Sequence, residues 1–483
     1  MAFTFGTPVY SADGVIAAPH YLASLAGIEV LRDGGSAVDA AIAANLVLAV
    51  VWPHMCGPGG DLFAQVLSGG AAEQVHGLNG SGRAGADMTL DAYRSRGLDA
   101  MPVRGPLSVT VPGAVDGWFA LHERFGRLEM PRLARDAVRY ARSGYRATSF
   151  LADASGLAIA RLSNLHTGER ELQPELANSL EAIAREGRNA MYGGELGRRV
   201  IQHLREEGGL LREADLAAHC SEWVKPISAD YRGVQVLEMP PNSQGITLLR
   251  MLQTLADCAV AAWDAAERVH RLVEVKQQAF EERDSRVADP PRGDTIYLCA
   301  ADRDGMVVSL IQSLYSAWGS GVHVPGTGIT LHNRGWGFRL RQGHPNALAP
   351  GKRPLHTLMP GFALRDGHPW LAFGTRGADG QPQTGLQLLT GLLDLDLDVQ
   401  AAIEAPRWVH AAPGDRFPRT ALVLESRFGD AVVQELRERG HEVIETEPLD
   451  TIMGTAQMIQ VDSERGCYVA ATDPRGDGVA LAL

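Results

Sequence analysis

Apolar positions along the chain fall into two textures. From Tyr21 to Arg32 they recur at helical spacing, with Leu22, Leu25, Ala26 and Ile28 on one face, and the run stops before Gly34-Gly35. Ala40 to Trp52 is apolar on every face apart from Asn45, and it is shorter than the ~20 residues a membrane span requires, so it predicts a buried helix. Ser36 and Asp39 predict a capping box at its start, and Pro53 stops it. The chain thus opens as a helical hairpin. Further helices are predicted over 114–125, 131–143, 176–187, 194–207 and 245–282, with short strands such as Leu62–Val66 and Val234–Glu238 between them. Residues 150–230 read as charged and helical, without a motif.

After the polar, proline-broken run Asp284 to Arg292 the texture changes. Closely spaced strands are predicted over 295–301, 306–314, 361–365 and 369–373, helices near 381–393, 397–404 and 429–439, and extended segments over 455–461 and 467–472. The first two strands flank Asp302-Arg303-Asp304-Gly305 and form a hairpin whose first residue is Thr295. A Thr opening a strand is ordinarily a β-branched residue in a favourable place. Were the chain cut before it, the new α-amine, with a reference pKa of about 7.7–8.0, would be a base beside a hydroxyl that has none of its own.

With 483 residues, 45% hydrophobic and 21% charged, there is ample core for one large α/β unit or several domains. The net charge of −12 and pI near 5.7 argue against nucleic acid or an anionic membrane as partner and favour a small molecule. The opening residues Met1 to Pro8 lack a signal-peptide pattern, so a cytoplasmic location is expected. Five unclustered cysteines, Cys56, Cys220, Cys258, Cys299 and Cys467, suggest reduced thiols rather than a disulfide framework or zinc site. Without a His-Glu-x-x-His or other ligand spacing, neither metal nor cofactor is expected. Gly374 to Gly380 has no Gly-Lys-Ser/Thr and reads as a turn, and the absence of Gly-x-Ser-x-Gly removes the α/β-hydrolase alternative.

Several short motifs occur in order. They are Gly34-Gly35-Ser36-Ala37-Val38-Asp39-Ala40-Ala41, Pro53 to Gly60, Val111-Pro112-Gly113, Pro240-Pro241-Asn242-Ser243-Gln244-Gly245, the hairpin Thr295 to Gly305, Gly319-Ser320-Gly321, Pro325 to Ile329, Asn333, Pro350 to Pro354, Gly374 to Gln383 and Ala405-Pro406-Arg407-Trp408. Together they resemble the γ-glutamyltranspeptidase family of N-terminal-nucleophile hydrolases. The resemblance implies a four-layer αββα sandwich, self-cleavage between Asp294 and Thr295 into a large chain 1–294 and a small chain 295–483 that share one core, and Thr295 as nucleophile. It further implies a hydroxyl at Ser313 touching Thr295, and an oxyanion hole from the backbone N–H groups of Gly377 and Ala378. The implied partners are a small amide and the two chains of one precursor, singly or as a dimer.

The resemblance departs at the substrate. Positions where γ-glutamyl enzymes hold the glutamyl α-carboxylate and α-amine read Ser81, His356, Thr357, Gly337 and Tyr315 here, so nearly every charged anchor is missing. Arg83 and Arg334 could hold a carboxylate, with Tyr315, His356 and Thr357 as further substrate contacts. Gln312-Ser313-x-Tyr315, Asn333-Arg334-Gly335 and His356-Thr357-Leu358 look like the oxamate amidohydrolase branch, although Arg376 and Ala378 depart from it. The expected activity is amide hydrolysis on a small carboxylate-bearing substrate. The alternatives are a γ-glutamyl hydrolase or transferase and an unprocessed, non-catalytic member of the fold.

Overall fold

The computed structural model of the protein describes residues 6–69, 74–155, 164–286, 294–411 and 416–483. The opening residues 1–5 and most of the proline-broken run before Thr295 lie outside them.

Two seven-stranded sheets stack face to face. In one, strands run in the order Val479–Ala482, Gly14–Ala18, Asp294–Asp302, Met306–Tyr315, Asp61–Ser68, Val75–Gly80, Glu222–Val224. In the other the order is Val9–Ser11, Cys467–Thr472, Ala456–Asp462, His368–Thr375, Gly361–Arg365, Val234–Glu238, Ile227–Tyr231. Every pairing within these sheets is antiparallel. Side chains alternate across each strand, so Phe63, Tyr297 and Ile311 of the first sheet meet Leu237, Phe362 and Ile459 of the second in a layer between them.

Helices cover both outer faces and complete an αββα sandwich. The apolar helix Ala37–Val51 is buried along its whole length against the hairpin, because the helix Met130–Ser143 packs on its far side. Its capping box is present, with the Ser36 hydroxyl accepting from the Asp39 N–H and the Asp39 carboxylate from the Ser36 N–H. Helices Gly245–Leu255 and Gly380–Leu393 cover the other sheet.

The helix expected over 245–282 is two helices, Gly245–Leu255 and Ala265–Arg286. Arg232 ends the first by donating to the carbonyls of Leu255, Ala256 and Cys258, and Asp264 caps the second by accepting from the Glu267 N–H at 2.8 Å. Among the described residues no helix is long and apolar enough to cross a membrane.

Candidate active site

The site is built around the hairpin. Asp294 pairs with Tyr315 and Ile296 with Gln312, so Thr295 alone stands opposite Ser313 and Leu314, and the partner strand bulges beside the start of its own. Thr295 is fully buried, and its hydroxyl donates to Ser313 Oγ at 3.4 Å. Ser313 Oγ also accepts the Tyr315 N–H at 2.7 Å, and Tyr315 adopts the left-handed conformation, φ 80°. Asn333 holds this corner, its Oδ1 accepting from the Ser316 N–H and its Nδ2 donating to Ser316 Oγ. The loop before Asp61 runs so close that a Cβ on Gly60 would stand 2.6 Å from the Ser313 carbonyl oxygen, hence the glycine.

Arg334 follows Asn333 and turns inward. Its guanidinium is fully buried, lies 3.7 Å over the Tyr315 ring and donates from Nη1 to Thr357 Oγ1 at 3.2 Å. Nε and Nη2 have no hydrogen-bond partner among the described residues. Burial brings its pKa down to about 10, with Tyr315 and Asp61 opposing the shift. Because a buried guanidinium with two idle donors costs free energy, it marks a place where an anion would be welcome.

The carboxylate near Arg334 is already engaged. Asp61 pairs with Ser313 across the sheet and is fully buried. Oδ1 accepts the N–H groups of Gly82 and Gly113, each at 3.1 Å, and Oδ2 lies 3.1 Å from His356 Nε2 and 3.3 Å from His332 Nδ1. Burial alone would raise this carboxyl, but His332 and His356 hold it well below the usual carboxylate range. His356 Nδ1 accepts the Leu358 N–H, so Nε2 carries the proton given to Asp61; burial and then Arg334 hold this imidazole neutral, with a pKa of about 3. His332 donates from Nε2 to the Thr110 carbonyl at 2.9 Å.

On the facing sheet, the strand His368–Thr375 runs into a turn in which Gly377 has φ 121° and Ala378 φ 45°. The Gly377 carbonyl accepts from Gly380 N–H and the Ala378 carbonyl from Gln381 N–H. The N–H groups of Gly377 and Ala378 have no partner among the described residues, so the turn ends with two adjacent donors idle.

The sequence matches the γ-glutamyltranspeptidase family over residues 23–292 and 289–483. The chain belongs to the γ-glutamyltranspeptidase family. Among its relatives, the glutathione hydrolase-like YwrD proenzyme of Bacillus subtilis is 38% identical, covering 97% of this chain and 98% of its own. The oxamate amidohydrolase proenzyme of Klebsiella pneumoniae is 34% identical, with 97% and 98% covered. Among solved structures, the cephalosporin acylase of Bacillus halodurans superposes with a TM-score of 0.92 at 34% identity, over 100% of this chain and 98% of that one. The protein is thus an enzyme of the N-terminal-nucleophile class, with the αββα fold its motifs implied.

Within this γ-glutamyltranspeptidase-family chain, Thr295, Ser313, Tyr315, Arg334 and Thr357 are joined by direct contacts. Two expected substrate contacts are otherwise engaged. Arg83 lies at the surface, donating to the Gly351 carbonyl at 2.9 Å and to Glu222 at 2.5 Å, so its guanidinium is tied outside the Thr295 group. His356 has both ring nitrogens bonded within the protein and acts on Asp61 rather than offering a nitrogen to a ligand. Asp61 and His332 were missed; a lone carboxylate opening the apolar strand after Gly59-Gly60 was the available signal.

Proposed function

We propose that the protein is a self-processing amidohydrolase acting on a small acyl amide that carries a carboxylate and no α-amine. Arg334 carries this reading: a fully buried guanidinium with Nε and Nη2 idle, packed on the residue whose N–H bonds Ser313. A bidentate carboxylate would satisfy both donors at once. A γ-glutamyl substrate would also bury an ammonium, and the carboxylate of Asp61 already takes four contacts, which disfavours that alternative.

The reaction runs in two phases. In the first, Thr295 Oγ1 attacks the Asp294 carbonyl carbon, the C–N bond breaks as the amide nitrogen takes the hydroxyl proton, and water hydrolyses the ester. This leaves a carboxylate on a chain 1–294 and a free amine on a chain 295–483. In the second, that amine removes the Thr295 hydroxyl proton as Oγ1 attacks the substrate carbonyl, and Ser313 Oγ orients the hydroxyl. The N–H groups of Gly377 and Ala378 receive the developing oxyanion, the leaving amine departs with the proton, and water releases the acid. A backbone donor needs no particular side chain, so Ala378 serves as glycine would.

The test has two arms. Purified protein should resolve into two unequal fragments, the smaller beginning at Thr295, while Thr295→Ala stays whole. Against a panel of oxamate, des-amino acyl amides and matched γ-glutamyl amides, kcat/KM should favour compounds without the α-amine. An intact wild-type chain that hydrolyses amides sinks the processing scheme; preference for the γ-glutamyl compound sinks the substrate assignment.

A further inference from the structure

The helix Ala265–Arg286 ends a few residues before the proposed cleavage point, and its last turn carries Arg283, which is 3% exposed. Arg283 Nη1 donates to Gln244 Oε1 at 3.0 Å and to Asp379 Oδ1 at 2.9 Å, while Nε donates to Asp284 at 2.8 Å. Gln244 is fully buried, and its Nε2 donates to the carbonyls of Ala378 at 2.9 Å and Thr357 at 3.0 Å. A hydrogen-bonded chain thus runs from the end of the large-chain helix through Gln244 to the carbonyl of Ala378, and separately to Asp379, the next residue.

Its effect follows from the geometry of the turn. Ala378 sits at φ 45°, a conformation an alanine adopts only when its surroundings enforce it. Gln244, donating to the Ala378 carbonyl, and Arg283, donating to Asp379, hold the peptide after Ala378, and the Gly380 N–H, donating to the Gly377 carbonyl, holds the peptide before it; together they fix the direction of the Ala378 N–H. The same Gln244 amide holds Thr357, whose hydroxyl accepts from Arg334, so one amide links the idle N–H pair to the buried guanidinium.

We infer that Arg283 is a positioning residue, acting through Gln244 and Asp379 to aim the N–H groups of Gly377 and Ala378 at the reacting carbonyl. This rests on the reading of that turn as the oxyanion site. Since Arg283 belongs to the helix leading to the scissile bond, it sets the same turn for self-cleavage and for turnover.

The experiment compares wild type, Arg283→Met, Arg283→Lys and Gln244→Glu, each followed for appearance of the 295–483 fragment and for steady-state amide hydrolysis. Gln244→Glu keeps the size and the acceptor facing Arg283 and puts a carboxylate oxygen where the two donors held the carbonyls, so it releases the brace even if Arg283→Met fails to fold. Arg283→Met and Gln244→Glu should lower kcat by roughly tenfold or more with KM nearly unchanged, because removing a whole oxyanion donor costs about 10²–10³. Arg283→Lys, able to reach one of the two acceptors, should recover part of that loss, and fragment release should slow in the same order. Folded Arg283→Met or Gln244→Glu with wild-type kcat overturns the inference alone, as does a loss confined to KM. A wild type that neither cleaves itself nor hydrolyses any amide overturns the oxyanion reading and the inference with it.

Discussion

Replacing Arg334 with methionine separates a group kept for its ligand from one kept for the fold. The depression of its pKa to about 10 corresponds to about 3 kcal/mol of charge burial that the free protein bears without an anionic partner. Arg334→Met removes that cost together with a cation–π contact over Tyr315, worth about 0.5–2 kcal/mol, and one hydrogen bond to Thr357, worth about 1 kcal/mol. These terms largely cancel, so folding stability by denaturant titration should change by no more than about 1.5 kcal/mol. A carboxylate substrate, by contrast, loses charge-assisted hydrogen bonds worth about 1.5–3 kcal/mol, or roughly 10- to 150-fold in kcat/KM, mainly through KM. The assay pairs each carboxylate substrate with an uncharged isostere. Wild type should discriminate strongly and Arg334→Met hardly at all. A variant that loses several kcal/mol of stability while keeping its preference for the carboxylate would refute the reasoning, because Arg334 would then be a structural cation.

Ser313→Ala should lower kcat by roughly tenfold, the worth of one neutral hydrogen bond at the reacting centre, and by more because the buried Tyr315 N–H loses its acceptor; unchanged kcat and unchanged fragment release would make Ser313 a plain sheet hydroxyl. For Asp61 the sign follows from a folded pKa held below the unfolded one. Its contribution is present above the unfolded carboxyl value of about 3.9 and is lost as pH falls further. Asp61→Asn should therefore cost about 1–3 kcal/mol at neutral pH, as for a buried donor such as the His356 N–H left without its acceptor, and flatten the acid limb of a stability–pH curve; a curve parallel to wild type would show that the His332–Asp61–His356 cluster carries no such linkage.

Much of the fold could be read along the chain because its elements state themselves locally. The helix Ala37–Val51 is apolar on every face, and the hairpin from Asp294 to Tyr315 has strand residues on either side of an Asp-Arg-Asp-Gly turn. Where the reading failed, a distant partner decided the outcome. Helical periodicity runs on past Leu255, and nothing nearby reveals that Arg232 will gather the carbonyls there. Arg83 looked available because it stands two positions from a missing anchor, but its guanidinium pairs with Glu222, which the sheet brings up opposite Asn79. Arg334 was legible as a cation beside a motif, whereas its idle donors and the three hydrogen bonds gathered on Asp61 are facts of packing that no spacing encodes.

The sheets place the strands of the two proposed chains between one another. Asp294–Asp302 and Met306–Tyr315 lie between Gly14–Ala18 and Asp61–Ser68, while the four strands from Cys467–Thr472 to Gly361–Arg365 lie between Val9–Ser11 and Val234–Glu238. Neither product could close a sheet alone, so the backbone must be complete before it is cut. Afterwards the order of events is not reversible by the same route: a tether that held the partners at an effective concentration near millimolar is gone, and recovery from denaturation becomes a bimolecular encounter. Fresh Thr295→Ala precursor should regain its structure at a rate independent of dilution, whereas the processed enzyme should recover more slowly the more dilute it is. Such an enzyme would be durable once made and, once lost, replaceable only by new synthesis.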